Sequence, residues 1–416
     1  MELYLFPLRQ HIGKPCIPAV SVGDRVLRGQ CIGEPDGLGA KLHSSITGKV
    51  TKVTEDFIEI EGEFTNNEDY IKIKKCDSIV ETAYEAGIVG AGGAGFPTHI
   101  KLKSEIPDGY IIANCVECEP ILNHNITLLE ENPDIIIRGI RYAMEATKAP
   151  KGYIAIKAKN KKAIEAIKTV LGDSKDIEIK ELRDMYPMGE ERAIIHEIFG
   201  TWLSPEQLPI EAKSVVMNAE SLANLTRAVE DLKPVIDKDI TVAGKLKNGK
   251  ESNVFFQIPI GTSIKNLIDR CGGIDGEFGE VIIGGPYTGK AGDIDTSVVT
   301  KISGGAIVTI PLPEFNGPIG LLVCACGADE NRLRDIASKM GAEVVAVTKC
   351  KNVVDIRGAN KCLTPGDCPG QVQGVMHLKK SGAERILISN CSDCTNTVVL
   401  RKSPVSTGAI SADSFA

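Results

Sequence analysis

Along the first 76 residues, apolar and polar side chains alternate in short runs broken by glycine. SVGDRVLRGQCIGE carries turn signals at Gly23–Asp24 and Arg28–Gly29 between alternating apolar residues. HSSITGKVTKV repeats the style with Thr47–Gly48 as its turn, and FIEIEGEF and YIKIKKC follow as further strands. The pattern predicts a small all-β unit over 1–76 with no helix. From 77 to 238 the period changes. SIVETAYEAGI has helical spacing, with Ile79, Val80, Ala83 and Ala86 ahead of Gly87. GYIIANCVECEP reads as a buried strand running into a loop. NPDIIIRGIRYAMEAT reads as an amphipathic helix with Asn132 at the N-cap and Pro133 in the first helical position. GYIAIKAKN, KKAIEAIKTVLG, IEIKEL and EERAIIHEIFG continue as strand, helix, strand and helix, the last ended by Gly200. This alternation predicts βαβ units around a largely parallel sheet.

Over 239–312 a hairpin on Asn248–Gly249, a helix from Ser263 and the strand and turn VIIGGPYTG predict a compact β-rich module. PLPEFNGP reads as a linker. Strand and helix then alternate again over 319–416, through IGLLVCACG, DENRLRDIASKMG, EVVAVTKC, CPGQVQGVMHLKKSG and RILISNCSDC. The expected architecture is a multidomain α/β chain.

Composition narrows the function classes. A net charge of −7 offers nothing to attract a phosphate backbone, so nucleic acid is disfavoured as a partner. The start, MELYLFPLRQHIGKP, lacks a basic stretch followed by an apolar one, and no window approaches the length of a membrane span, so a cytoplasmic chain is expected. Thirteen cysteines are many for such a chain. Without export, metal or redox use outweighs a static disulfide framework.

The richest candidate chemistry lies in GIVGAGGAGFPTHIK, with Gly90, Gly92, Gly93 and Gly95. The loop follows a helix, whereas the dinucleotide fingerprint joins a first strand to its helix. Adjacent glycines allow successive N–H groups to form an anion-binding concavity. They also let a flat ring approach the main chain. Phe96 can stack on such a ring and Lys101 offers a point charge for phosphate. NCVECEP puts Asn114, Glu117 and Glu119 at the end of a buried strand, where parallel sheets hold ligands. YPMGEE puts Gly189, Glu190 and Glu191 at a helix start, where acids also complement the helix dipole.

GAGGAGFPTHIK, NCVECEP, YPMGEE and VVMNAES resemble the flavin-binding signatures of the C subunit of the Rnf electron-transport complex and of the flavoprotein subunit of respiratory complex I. HIGKPCIPAVSVGDRVLRGQCIGEPDG and HSSITGKV resemble that Rnf subunit's N-terminal barrel-sandwich hybrid, and 239–312 resembles an SLBB domain of β-grasp type. The resemblance covers roughly 1–312. It implies a barrel-sandwich hybrid over 1–76, a Rossmann-like domain over 77–238 holding FMN and receiving hydride from NADH, and the SLBB module over 239–312. By motif position, Gly90, Gly92, Lys101, Asn114, Glu117, Gly189, Glu190 and Asn218 are implied flavin contacts, with Gly93 and Gly95 in the same loop. Phe96, Glu119 and Glu191 are implied on the nicotinamide side. Val116 stands where the complex I subunit carries an acid, and Ala219 where both relatives tend to carry a second asparagine. These departures retune FMN binding rather than exclude it. The barrel-sandwich hairpin has Lys49 beside Gly48 but no Met-Lys-Met or Asp-Lys-Ala, which favours a docking surface over a cofactor arm.

The cysteine-rich domain over 319–416 departs from the family. It has no C-x2-C-x2-C-x3-C-P run for a two-cluster ferredoxin. It carries Cys324-Ala325-Cys326, Cys350, Cys362, Cys368 and Cys391-Ser392-Asp393-Cys394. In one reading Cys324, Cys326, Cys391 and Cys394 are redox dithiols placed where strands end, each pair matched to the two electrons of a reduced flavin. In another, four cysteines hold an iron–sulfur cluster or a structural zinc, with Cys350, Cys362 and Cys368 as candidate ligands. The Rnf-like front joined to this end resembles the electron-transfer proteins that deliver NADH electrons to D-proline reductase in amino-acid-fermenting anaerobes, which implies a partner reductase. Two alternatives stay open. One is a cobalamin reductase with the same front; the other is a non-catalytic adaptor that lost its flavin and binds metal through its cysteines.

Overall fold

The computed structural model describes residues 1–66, 68–368 and 371–389, together with the backbone of 408–411. The N-terminal unit is built from β1 (Glu2–Pro7), β2 (Cys16–Pro18), β3 (Arg25–Val26), β4 (Cys31–Pro35), β5 (Leu42–His43), β6 (Thr47–Val53) and β7 (Phe57–Glu63). They form two small antiparallel sheets, ordered β1-β7-β6-β3 and β2-β4-β5. Alternation puts Phe6, Val50, Ile58 and Ile60 inside. Gly23 and Gly29 take φ of +98° and +87°, so the turns expected there form where only glycine is unstrained. The turn expected at Thr47–Gly48 does not form, because both residues lie within β6. Gly48 pairs with Gly62 of β7, and a Cβ on Gly48 would come 2.9 Å from the Gly62 Cα; the glycine serves a close strand approach. YIKIKKC is likewise no strand. It bonds to two different elements, Ile71 N–H to the Arg28 carbonyl at 2.8 Å and Ile73 N–H to that of Leu232 at 2.9 Å, and so crosses from the first unit to the second.

The second unit runs α1 (Ile79–Glu85), α2 (Thr98–Leu102), β8 (Tyr110–Asn114), α3 (His124–Glu131), α4 (Pro133–Thr147), β9 (Lys151–Lys157), α5 (Lys161–Leu171), β10 (Ile177–Leu182), α6 (Glu191–Phe199), β11 (Ser214–Asn218) and α7 (Ala219–Asp231). The sheet is wholly parallel in the order β10-β9-β8-β11. Gly139 brings α4 against the α7 backbone at Leu222. Helix α4 starts at Pro133 as expected, but Asn132 makes no side-chain cap bond.

The third unit pairs β12 (Asp237–Gly244) with β13 (Ser252–Pro259) as a hairpin. It continues through α8 (Ile264–Arg270), β14 (Val281–Ile283), β15 (Lys290–Gly292) and β16 (Gly305–Val308) in the sheet order β13-β12-β16-β14-β15. After 311–317, the C-terminal unit comprises β17 (Pro318–Val323), α9 (Glu330–Lys339), β18 (Glu343–Lys349), β19 (Val353–Ile356), β20 (Ala359–Cys362), α10 (Val372–Lys380), β21 (Arg385–Ile388) and β22 (Gly408–Ser411). Its parallel sheet is ordered β18-β17-β21-β22, and β19 and β20 form a separate hairpin.

Buried charges tie the first three units together. Arg28 of the N-terminal unit, 1% exposed, grips Asp237 at the start of β12 through both carboxylate oxygens at 2.8 and 2.7 Å. Lys233 reaches the same carboxylate at 2.8 Å. Lys238 pairs with Glu220 of α7, both buried. Lys301 donates its ammonium to the carbonyls of Lys41 and Gly87, one in each of the other two units. A buried charge left unpaired is strongly unfavourable, so these contacts hold the relative placement of the units. Asp237→Ala strands Arg28 and Lys233 together. It is expected to destabilise the chain by about 3–5 kcal/mol, read from urea unfolding followed by the single tryptophan, Trp202.

Candidate functional site

In the second unit the chain lays β9 and β10 on one side of β8 and then returns to place β11 on the other. The connections therefore diverge between β8 and β11, and a crevice opens beyond the carboxyl ends of these two strands. Asn114 and Asn218 are register partners at its mouth. Asn218 caps α7, its Oδ1 accepting the N–H groups of Glu220 at 2.9 Å and Ser221 at 3.4 Å. Asn114 donates through Nδ2 to the Gly189 carbonyl at 2.9 Å and accepts Val116 N–H at 3.2 Å, which fixes the YPMGEE loop to the sheet.

The glycine loop is seated on this crevice. Gly90 N–H bonds to the Phe96 carbonyl at 2.9 Å and Val89 bridges Pro97, closing the loop at its base. Ser221 accepts Ala91 N–H at 3.0 Å and donates to the Val89 carbonyl at 2.9 Å, pinning the loop to the first turn of α7. Gly92, Gly93 and Ala94 are left exposed at the tip. A Cβ on Gly92 would come 2.5 Å from Asn218 Nδ2, while one on Gly93 would meet nothing within 4 Å. Gly95 has φ of +75° and packs against the backbone of Gln10 and His11. The short helix α2, unexpected from the sequence, then aims Lys101 at Glu191 (2.7 Å) and at the Val216 carbonyl (2.8 Å).

The acidic candidates separate by partner. Glu117 is half-buried, accepts Asn125 Nδ2 at 3.1 Å, and desolvation pushes its carboxyl up to about 7. Glu119 is also raised by burial. Its oxygens accept the N–H groups of Tyr287 at 2.8 Å and Thr288 at 3.0 Å and the Thr288 hydroxyl, so it latches the turn after β14. Glu190 caps α6 by accepting Arg192 and Ala193 N–H at 2.8 and 3.0 Å, and it also holds Arg192 Nε at 2.9 Å. Beside Glu117 and Glu119 lies a cleft of about 410 Å³, whose walls include Lys157, Asp184, Tyr186 and Tyr287. Spacing along the chain singles out none of these four, nor Ser221, although Ser221 closes the VVMNAES motif. For Tyr186 one signal exists, an aromatic ring within the YPMGEE motif and close to its glycine.

The cysteines are regrouped. Cys324 and Cys350 directly follow β17 and β18, Cys362 is the last residue of β20, and all three are buried. The Cys324 thiol contacts those of Cys326 and Cys350, and Cys326 contacts Cys362. Hydrogen bonds between neighbouring thiols pull Cys324 and Cys362 down and push Cys326 and Cys350 up, so the four titrate together. Cys368 packs with Cys118, Tyr287 and Cys326 around Tyr186. The expected trio of Cys350, Cys362 and Cys368 is not gathered into a metal site, and among the described residues no group of three ligands has metal-holding geometry. Cys391 and Cys394 lie outside the described residues.

Known proteins match this arrangement in order along the chain. Residues 1–73 match the RnfC barrel sandwich hybrid domain and 83–227 the Nuo51 FMN-binding domain. The C subunit of the Na(+)-translocating ferredoxin:NAD(+) oxidoreductase complex of Acetobacterium woodii is 32% identical over 344 residues, 78% of this chain and 77% of that protein. The chain belongs to the Rnf C-subunit family. The corresponding subunit of the proton-translocating complex of Clostridium ljungdahlii is 32% identical over 72% of this chain and 69% of its own length. The cobalamin reductase PduS of Salmonella typhimurium is 36% identical over 76% and 66%. This Rnf C-subunit relative is an oxidoreductase of the electron-transfer flavoprotein type, with a barrel-sandwich front and an FMN-binding domain. Among the described residues no helix is long and apolar enough to cross a membrane.

The residues present fit FMN. An exposed, side-chain-free backbone stands over Asn218 for the ring, Asn114, Glu117 and Asn218 offer hydrogen bonds for ribityl hydroxyls, and Lys101 offers charge for the phosphate. Glu117 makes stability pH-dependent. In the folded chain it keeps its proton up to about 7, whereas an unfolded carboxyl loses it near 4.5. The folded state thus holds the extra proton between these values, and stability falls as pH rises through the window, by up to about 3 kcal/mol. Glu117→Gln in the flavin-free protein is expected to flatten the dependence of urea midpoints between pH 5 and 8 that the parent shows.

Proposed function

We propose that this chain takes hydride from NADH onto FMN and passes electrons through its cysteine-rich end to a partner reductase, and that the partner is D-proline reductase. The observation that carries the flavin reading is the glycine tip seated over Asn218 at the diverging point of the parallel sheet. When bound, FMN supplies a ring that accepts hydride. The chain orients it: Gly92 and Gly93 allow close approach, and Asn114 and Asn218 are held rigid by their own backbone bonds. Lys101, paired with Glu191, is available to exchange that partner for a phosphate. The cleft walled by Glu117, Lys157 and Tyr186 is the entry for the nicotinamide nucleotide, next to the ring. The third unit, read as an SLBB module, and the barrel-sandwich unit present surfaces to the partner. The resemblance of the Rnf-like front joined to a cysteine-rich α/β end to the electron-transfer proteins serving D-proline reductase supports that acceptor.

A cobalamin reductase reading is favoured by the 36% identity to PduS. D-proline and cob(II)alamin supplied with the matching reductase or alone separate the two readings by which one reoxidises the reduced protein. Anaerobically purified protein is expected to retain FMN and to lose its visible flavin absorbance on adding NADH. Gly92→Ala, whose new methyl meets the Asn218 amide, is expected to weaken FMN roughly tenfold, about 1.4 kcal/mol, by fluorescence titration. Protein that neither holds FMN nor is bleached by NADH would overturn the reading.

A further inference from the structure

Four cysteines from three strand ends and one following turn meet at the face of the C-terminal unit that abuts the flavin domain. Cys326 is the member nearest that junction. Its carbonyl accepts the Tyr186 hydroxyl, and its side chain packs on Tyr186 together with Cys118. Cys118 in turn accepts Gly189 N–H at 2.6 Å, so one tyrosine separates the thiols from the loop that Asn114 anchors. Cys362 touches Cys326, which draws its thiol down, and feels the positive charge of Arg192 more weakly. Arg192 is 6% exposed, bonds Glu190 through Nε, and has no partner for Nη1. Its charge is already paired with Glu190, so it is the contact with Cys326 that chiefly draws the Cys362 thiol down. Cys324 and Cys350 follow neighbouring parallel strands, and Cys324 contacts both Cys350 and Cys326.

We propose that Cys326 and Cys362 form a reversible disulfide that receives the electrons leaving the flavin. This rests on the flavin reading above. The Cys326–Cys362 S–S bond breaks, taking two electrons and two protons from reduced flavin, which returns to its oxidised form. The products are two thiols. One disulfide matches one NADH in electron count.

The test is disulfide mapping of the full chain by differential alkylation and mass spectrometry. Protein equilibrated anaerobically with oxidised glutathione is expected to show a Cys326–Cys362 link. NADH is then expected to deplete that link by about tenfold or more, releasing two thiols per nucleotide oxidised. Cys362→Ser abolishes the link, and Cys271→Ser, buried in the third unit, leaves it. If NADH does not bleach the flavin, photoreduced FMN replaces it as reductant, which separates a failure of NADH oxidation from a failure of the pair. A link opened by either reductant supports the proposal. A link that dithiothreitol opens but reduced flavin does not overturns it. So do free, alkylatable Cys326 and Cys362 in the oxidised protein, or stoichiometric iron or zinc that Cys362→Ser releases.

Discussion

Two hydrogen bonds of Ser221 fix the shape of the glycine loop on which the proposed flavin site rests. A stretch as glycine-rich as 87–95 has a large conformational entropy to lose, and its own sequence gives it no reason to stop in one shape. Ser221 supplies that reason by accepting from Ala91 and donating to Val89, while Gly90 closes on Phe96. Because Ser221 is itself in the first turn of α7, and Asn218 caps that helix, the loop, the helix start and the end of β11 move as one body. The exposed tip is then a backbone surface of defined position rather than a flexible span. Loss of the Ser221 hydroxyl would free the loop while leaving every glycine in place.

The same helix start carries the charge that links the site to the rest of the chain. Glu220 follows Asn218 by two residues, is buried, and pairs with Lys238 of β12. One strand position earlier, Asp237 holds Arg28 from the N-terminal unit. A buried pair of this kind contributes little net stability compared with an apolar contact, but breaking it is expensive. Its value is therefore in specifying one arrangement of units. Glu119 acts alike on the opposite lip, where its three partners on the turn after β14 close the third unit over the cleft. Acids that look like ligand contacts in a motif are here divided: Glu117 faces a buried amide at the crevice, whereas Glu119 and Glu190 are engaged in holding backbone.

What can be read along the chain is local. Helices α4, α5 and α6 and strands β8, β9 and β10 repeat their apolar positions at the spacing their geometry requires, and their boundaries sit within a few residues of the pattern. Gly48 defeats such a reading because a glycine in an alternating run signals a turn and a close strand approach equally, and only the pairing with Gly62 decides. The strand and helix around VVMNAES show as a motif without a shape, since β11 is short and buried on both faces and shows no alternation. The latch of Glu119 onto Thr288 and the bond of Tyr186 to Cys326 join residues 169 and 140 positions apart, which no periodicity encodes. For the cysteines, spacing favours pairing by proximity in the chain, yet the hairpin of β19 and β20 folds Cys362 back to Cys326.

That hairpin bears on how electrons could leave a flavin in a chain without ferredoxin-type runs. Parallel strands β17 and β18 deliver Cys324 and Cys350 to the same edge because adjacent parallel strands end together; Cys350 N–H bonds the Val323 carbonyl at 2.9 Å. The parallel sheet alone would leave both thiols facing a loop. Adding β19 and β20 returns the chain across that edge and brings a further thiol beside the turn that bears Cys326. The result is a sulfur-rich surface whose nearest foreign side chain, Tyr186, belongs to the loop fixed by Asn114. The proposed flavin crevice and the cysteines are thus joined through two short connections, one through Asn114 to Gly189 and one through Tyr186 to Cys326. A change that loosens the first, such as loss of the Asn114 amide, disturbs both the flavin pocket and the seat of the thiols, whereas a change at Ser389, which holds Cys324 N–H at 2.6 Å, reaches only the second.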